Sequence, residues 1–237
     1  MKDTIRKLRP AKVRSALRRR WFERRLGSLK PDDDQGIVSL GTARGGWKIP
    51  DGVLVADSIC YCVGAGGDVS FDLELIRRYG VRVRCFDPVE EFERSALEEA
   101  AGNPRFSFRR AAITARDGMI KMQVHHESTS QSVSAAGLYD TAEWIEAPGR
   151  TLPSLMREFG DDHIDLLKLD IEGAEYEVLP TLDLAGMGVR IFATELHHTS
   201  GVRGALNLIA GLREQGFDLV AERPVVKLTF VRRAAGR

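Results

Sequence analysis

A chain of 237 residues, 43% hydrophobic and 29% charged, can bury one substantial core and suits a single α/β domain with appendages rather than two full domains. Its formal charge of +1 hides an asymmetry: residues 1–30 hold twelve Lys or Arg against Asp3 and Glu23, net +10, so the remainder carries −9. An acidic body argues against nucleic-acid binding by that body, and no run approaches 18 consecutive apolar residues, which leaves no candidate membrane-spanning helix.

The charge split sets the expected organisation: a basic N-terminal arm, residues 1–35, and an acidic body, residues 36–237. The arm has no apolar stretch behind its charges of the kind a secretory signal needs, so a soluble, cytoplasmic protein is expected. Val13, Leu17 and Trp21 recur at i+4 between arginines, with Ile5 and Leu8 extending the stripe. That pattern fits a basic amphipathic helix, lying on an anionic membrane, solvated, or docked on the body. Pro31 to Gln35 then forms an acidic break.

Residues 37–57 read as an irregular lead-in with a Gly45-Gly46-Trp47 turn. Ile59 to Val63 reads as a buried strand and Gly64 to Gly67 as a tight loop. Val69 to Tyr79 follows as a helix turning Leu75, Ile76 and Tyr79 inward, with Asp68 a plausible N-cap and Gly80 the stop. Val81 to Phe86 is a second strand ending in Asp87-Pro88, followed by a helix near Glu90 to Ala101. A third strand is expected within Phe106 to Ile113, joined through an Asp117-Gly118 hairpin to Met119–Val124, where Ile120, Met122 and Val124 alternate inward. Residues 125–149, polar and rich in Ser, Thr, Gly and Ala, read as a loop over the site.

Thr151 to Phe159 is a helix with Leu152, Leu155, Met156 and Phe159 on one face, feeding a strand at Ile164 to Leu169. A helix over 173–180, a strand at Val189 to Leu196, a helix from Val202 to Gln215 and two strands, Asp218 to Ala221 and Val225 to Val231, complete the chain. Alternating strands and helices closed by a hairpin predict an α/β, doubly wound, mostly parallel sheet with an antiparallel C-terminal edge. Cys60, Cys62 and Cys85 all fall in apolar strands and read as reduced core thiols, and no metal site is expected: Asp170, Glu195 and His197 sit on strands whose ends need not converge.

The chemistry concentrates at strand ends, where open α/β sheets bind ligands. Gly64 and Gly66 lie between the first strand and first helix, and Asp87 follows Gly64 by 23 positions at the end of the second strand, a spacing that suits a ribose diol. The fingerprint position that a dinucleotide-binding loop fills with a third glycine is Val69 here. Asp68 beside it would repel a pyrophosphate but suit an amino group or sulfonium, a charge pattern that S-adenosylmethionine fits. Downstream, Lys168, Asp170, Glu172 and Gly173 end the apolar run of the fourth parallel strand, and Glu195, His197 and His198 end the next.

Four segments, VGAGGDVSFD at 63–72, FDPVEE at 86–91, TLPSLMREFGDDHIDLLKLDIEGAEYEVL at 151–179 and ATELHH at 193–198, make the chain resemble the FkbM family of S-adenosylmethionine-dependent methyltransferases over roughly residues 40–232. The resemblance implies a class I methyltransferase fold, Rossmann-like. It also implies that Gly64, Ala65, Gly66 and Asp68 bind the methionine end of the cofactor, Asp87 its ribose, and Phe86 with Ala112 its adenine.

In such a fold Asp170 should lie beside the Gly64 loop. Methyl transfer to a hydroxyl needs an aligned acceptor and a proton acceptor. His197 is the expected base, with Asp170 and Glu172 orienting acceptor and cofactor, and the acceptor is expected to be a saccharide or a secondary metabolite. His198 is an equal candidate by composition, and His125 and His126 sit in the presumed loop. Trp47 and Trp144 can either stack on a sugar ring or pack in the fold. Two other readings compete: a nicotinamide-dependent oxidoreductase on the same sheet, and a noncatalytic module binding glycan or membrane.

Overall fold

A computed structural model describes residues 20–26, 29, 31, 36–127, 130–136, 143–223 and 227–233, so most of the expected basic arm lies outside the described residues. Its last part, residues 20–26, is helical (α1) and seats Phe22 and Leu26 in the core while Trp21 stays exposed. The lead-in is not irregular: β1 (Ile37–Leu40) and β2 (Trp47–Pro50) form an antiparallel hairpin, with Leu40 paired to Trp47. Four-residue strands around a six-residue connection carry too little alternation to be read as strands, and Trp47 is buried as packing.

β3 (Ile59–Val63) is buried at every residue, sending Ile59, Tyr61 and Val63 to one face of the sheet and Cys60 and Cys62 to the other. That double burial is why it reads as a continuous apolar run. α2 (Ser70–Tyr79) starts one residue later than expected. Asp68 accepts the Ser70 amide at 3.0 Å, and Gly80 closes the helix in the left-handed region (φ 67°), donating its N–H to Ile76. β4 (Arg82–Phe86) and α3 (Glu90–Ala100) follow. Glu90, Glu91 and Glu93 in the first turn of α3 complement the helix dipole.

The expected third strand divides in two. β5 (Phe106–Arg109) pairs with β4, whereas β6 (Ala112–Ile113) leaves the sheet and joins a second one. The Asp117-Gly118 hairpin is not formed. β7 (Gly118–Glu127) pairs instead with β8 (Ser130–Ser134) and β9 (Trp144–Arg150), and β6 runs parallel to β9. Asp117 is used elsewhere: it accepts the Thr151 amide at 2.7 Å and the Ser154 hydroxyl at 2.6 Å, tying the turn to α4 (Leu152–Phe159), whose N-cap is Thr151. The presumed loop at 125–149 is therefore largely sheet among its described residues, in the order β6-β9-β7-β8. It turns Ile120, Met122, Val124, Ile145 and Ala147 toward the body.

β10 (Leu166–Leu169) follows, then α5 (Glu175–Val178), a single turn rather than a helix over 173–180. Glu172 (φ 51°) and Gly173 (φ 99°) hold the chain in the left-handed region and delay its start, and Leu179–Thr181 tightens into a 3₁₀ turn around Pro180. β11 (Ile191–Glu195), α6 (Gly201–Glu214), β12 (Phe217–Arg223) and β13 (Lys227–Arg232) complete the body.

The main sheet runs β12-β13-β11-β10-β3-β4-β5. β3, β4, β5, β10 and β11 are mutually parallel, and β13 is antiparallel to both of its neighbours. This is the doubly wound sheet with an antiparallel C-terminal hairpin that the element pattern predicts. The order reverses between β3 and β10, so a crevice opens beyond their carboxyl ends. Core residues of α2, α3 and β1–β2 cover one face, and those of α1, α4, α5 and α6 cover the other.

One charge sits inside the first of these layers. Asp72 of α2 is 2% exposed, and its Oδ1 has no hydrogen-bond partner among the described residues. Burial pushes its carboxyl up to about 6, although Lys168 pulls the other way. A carboxyl raised on folding contributes stability that is complete below its unfolded value and is lost as pH climbs through its folded one. The wild-type protein should thus lose on the order of 2–3 kcal/mol relative to Asp72→Asn between pH 4 and pH 7.5, at 1.36 kcal/mol per unit. Urea unfolding of both proteins at the two pH values checks this; an unchanged difference contradicts it.

Candidate active site

The crevice at the β3/β10 switch is a cleft open to solvent. Its floor is the loop after β3. The Gly64 amide donates to Phe86 O at 2.8 Å, and its φ of 83° belongs to the left-handed region. A β-carbon at Gly64 would collide with the Asp170 carbonyl, so only glycine lets the two strand ends close together. At Gly66 (φ 56°) the same position is open space.

Lys168 locks this floor from beneath. Its side chain is buried, and Nζ donates to the carbonyls of Val63, at 3.1 Å, and Gly64. Burial opposes its charge, but Asp170 and Asp72 outweigh that and raise its pKa.

Asp87 locks the floor from the side. Oδ2 accepts the amides of Ala65 at 2.9 Å and Gly66 at 3.2 Å, and Oδ1 accepts Val89 at 3.0 Å. Burial pushes this carboxyl up to about 6, while the three amides and Lys168 hold it down. A carboxylate has about four lone-pair sites, so acceptor capacity toward the cleft remains.

Gly64, Gly66, Phe86, Asp87, Ala112, Asp170 and Glu172 all line the cleft, roofed by Ile113, Ile120 and Met122 of the second sheet. Among the described residues on its wall the charged ones are Asp87, Asp170 and Glu172, all acidic. Asp68 is placed elsewhere: its carboxylate accepts from the hydroxyls of Thr42 at 2.6 Å and Ser70 at 2.5 Å, on the side of the β1–β2 connection. Phe86 borders the cleft, and its ring packs on Tyr61 and Phe159, with centroids 5.1 and 6.0 Å away.

Asp170, one residue past β10, is raised above the usual carboxylate range by burial and by Glu172, against Lys168. On the next strand Glu195, pushed up to about 8 by burial and by Asp170, has Lys227 Nζ 3.7 Å away. His197 stands behind Glu172 rather than on the wall. Nε2 lies 3.1 Å from Glu172 Oε2 and Nδ1 2.9 Å from Glu175 Oε1, and the Tyr176 hydroxyl donates to its carbonyl at 2.6 Å. Burial disfavours its charge, but hydrogen bonds to Glu172 and Glu175 prevail and raise its pKa above the usual histidine range.

The backbone that carries Glu172 is itself in a costly conformation, steadied by Ser134, whose hydroxyl donates to Glu172 O at 2.6 Å. His198 opens a 3₁₀ turn with its ring 6.5 Å from Phe22, His125 pairs with Ser132 in β7–β8, and the side chain of His126 lies outside the described residues. Trp144 is exposed on the outer side of the second sheet, and the three cysteines are free and buried.

Sequence reasoning missed Glu175, which is fully buried and accepts both the Ile171 amide at 3.2 Å and the His197 ring.

A model of the methyltransferase FkbM domain matches residues 61–219. The chain is 36% identical over 104 residues to a Streptomyces tacrolimicus protein described as a 31-O-demethyl-FK506 methyltransferase FkbM. That match covers 43% of this chain and 39% of the relative, so the chain spans about two fifths of the relative's length. Among solved structures, a Methanococcus jannaschii fibrillarin pre-rRNA processing protein is similar at 12% identity and TM-score 0.44, covering 76% of this chain and 68% of that one. A Geobacter metallireducens precorrin-6y C5,15-methyltransferase is similar at 9% identity and TM-score 0.46, covering 76% and 82%. Both structural likenesses are too loose to carry an argument, and the strand order stands on its own.

Proposed function

Because the chain belongs to the FkbM methyltransferase family, we propose that it uses S-adenosylmethionine to methylate a hydroxyl group of a saccharide or secondary metabolite. One observation carries the choice of cofactor: the described residues lining the cleft present carboxylates and no cation, and the loop amides that would greet a pyrophosphate, those of Ala65 and Gly66, are already held by Asp87. A site of that character repels a phosphate-linked dinucleotide and favours a ligand bearing an ammonium and a sulfonium. The S. tacrolimicus relative, named for an O-demethyl substrate, supports oxygen as the acceptor atom.

In this reading Gly64, Ala65 and Gly66 cradle the cofactor, Asp87 takes a ribose hydroxyl with its remaining lone pair, and Phe86 and Ala112 border the purine. Asp68, turned toward Thr42, steadies the start of α2 and acts on the methionine end through the loop. The cofactor supplies an electrophilic methyl group. The chain supplies alignment and a place for the hydroxyl proton.

Both ring nitrogens of His197 are engaged by Glu172 and Glu175 and the ring stands off the cleft wall, so the proton-acceptor role falls to Asp170, which lines it. His197 is then a positioning residue that fixes Glu172. The second sheet excludes water above the reacting atoms with Ile120 and Met122.

Asp87→Ala should weaken S-adenosylhomocysteine binding about 10–100-fold by calorimetry, since it removes both the ribose acceptor and the anchor of two loop amides. The activity is tested by incubating the protein with methyl-labelled S-adenosylmethionine and a panel of glycans and polyhydroxylated metabolites. Label in a hydroxyl-bearing product supports the reading; no transfer across the panel together with NADH binding overturns it.

A further inference from the structure

Behind the cleft wall, Asp170, Glu175 and His197 each bring a donor atom to one place, all within 4.8 Å of one another. They come from three elements: the end of β10, the single turn α5 and the residue two past β11. The cluster forms because the left-handed backbone at Glu172 and Gly173 folds α5 back over the strand ends. Glu175 is the member that internal pairing does not explain. The residue is fully buried, its Oε1 serves the Ile171 amide and the His197 ring, and its Oε2 has no partner among the described residues and no access to water. An unpaired buried carboxylate oxygen is costly, and a cation is what would satisfy it.

The surroundings are those of a metal-ligating histidine. Such a histidine presents one ring nitrogen to the ion and donates its other N–H to a carboxylate that fixes its orientation. Here Nδ1 faces Glu175, and Nε2 faces Glu172 at 3.1 Å. Asp170 lines the cleft, so an ion held here borders the substrate space. One imidazole nitrogen with two carboxylates suits a first-row divalent metal better than magnesium or calcium, which favour all-oxygen shells.

We propose that Asp170, Glu175 and His197 form a binding site for a divalent first-row metal ion, with Glu172 as the outer carboxylate that orients His197. With one Asp170 oxygen on the ion, the other would stay free to take the proton of an acceptor hydroxyl whose pKa the ion lowers.

The test is titration of chelator-treated full-length protein with Mn²⁺, read by loss of the free-ion electron paramagnetic resonance signal, without cofactor or acceptor. It therefore reports on the site whether or not the methyl-transfer reading is right. One ion per chain is expected, weakened at least 100-fold by His197→Ala and by Asp170→Asn, and about 10–100-fold by Glu172→Gln. Asp170→Asn, at the cleft wall, guards against a His197 variant that fails to fold; circular dichroism reports folding for each. Absence of tight Mn²⁺ uptake by the wild-type protein, or uptake unchanged in folded Asp170→Asn, overturns the proposal.

Discussion

Asp170→Asn is expected to lower kcat by roughly 10²–10⁴-fold, the range over which a positioned proton acceptor acts, while the affinity for S-adenosylhomocysteine stays within a few-fold. The separation follows from placement. Asp170 sits at the sheet's switch point, with its backbone against Gly64 and its side chain on the cleft wall. The cofactor's ribose and purine are assigned to other residues, Asp87, Phe86 and Ala112. An amide of the same shape preserves the packing and the Asp170 amide's bond to Val63 O at 3.3 Å, but removes the negative charge and the proton-accepting lone pairs. Steady-state kinetics with an accepted substrate and calorimetry with S-adenosylhomocysteine separate the two quantities. A large fall in cofactor affinity with kcat preserved would move Asp170 from the reaction to cofactor binding.

The second large effect is on folding. Lys168→Met should destabilise the protein by about 3–5 kcal/mol, the range for breaking a buried charge pair from one side. The ammonium bonds two carbonyls of the β3 loop and sits among Asp170 and Asp72, with the Trp47 ring centroid 5.7 Å from Nζ. Methionine fills much of the stem's volume but leaves the carbonyls without their charged donor and Asp72 without its counter-charge. At roughly 2–4 °C per kcal/mol for a chain of this size, the melting temperature should fall by about 6–20 °C. Because Asp72 carries part of the loss, Lys168→Met combined with Asp72→Asn should be less destabilised than the sum of the two single variants, by ~1 kcal/mol or more. Denaturant unfolding of the four proteins measures this. Strict additivity would show that Lys168 acts through the loop carbonyls alone.

Much of this arrangement was legible in the sequence because the central strands are buried on both faces. Ile59–Val63 reads as one apolar run, Gly64 and Gly66 mark where backbone must pass close to a neighbour, and Asp87 and Asp170 are the first polar residues past their strands. Tertiary pairing hid the rest. Ala112–Ile113 looks like the end of a strand that starts at Phe106, and only its partner, β9, shows that it belongs to another sheet. Trp144–Arg150 alternates Ile145, Ala147 and Gly149 toward the interior, yet the Ser-, Thr- and Gly-rich composition around it masks the period. The shortness of α5 depends on positive φ at Glu172, a residue type that gives no warning of it. Glu175 was hidden for the same reason: on a regular helix a charged residue reads as solvent-facing, whereas here the fold-back of the chain buries it against His197.

The central claim is that the acidic cleft at the β3/β10 switch holds an adenosine-bearing sulfonium donor. It is tested most directly by a crystal structure of the protein with S-adenosylhomocysteine. A ribose hydroxyl is expected on Asp87, the purine against Phe86 and Ala112, and the sulfur on the Asp170 side, with the Ala65 and Gly66 amides still donating to Asp87. Nucleoside density outside this cleft at saturating ligand, with no hydroxyl on Asp87, would contradict it.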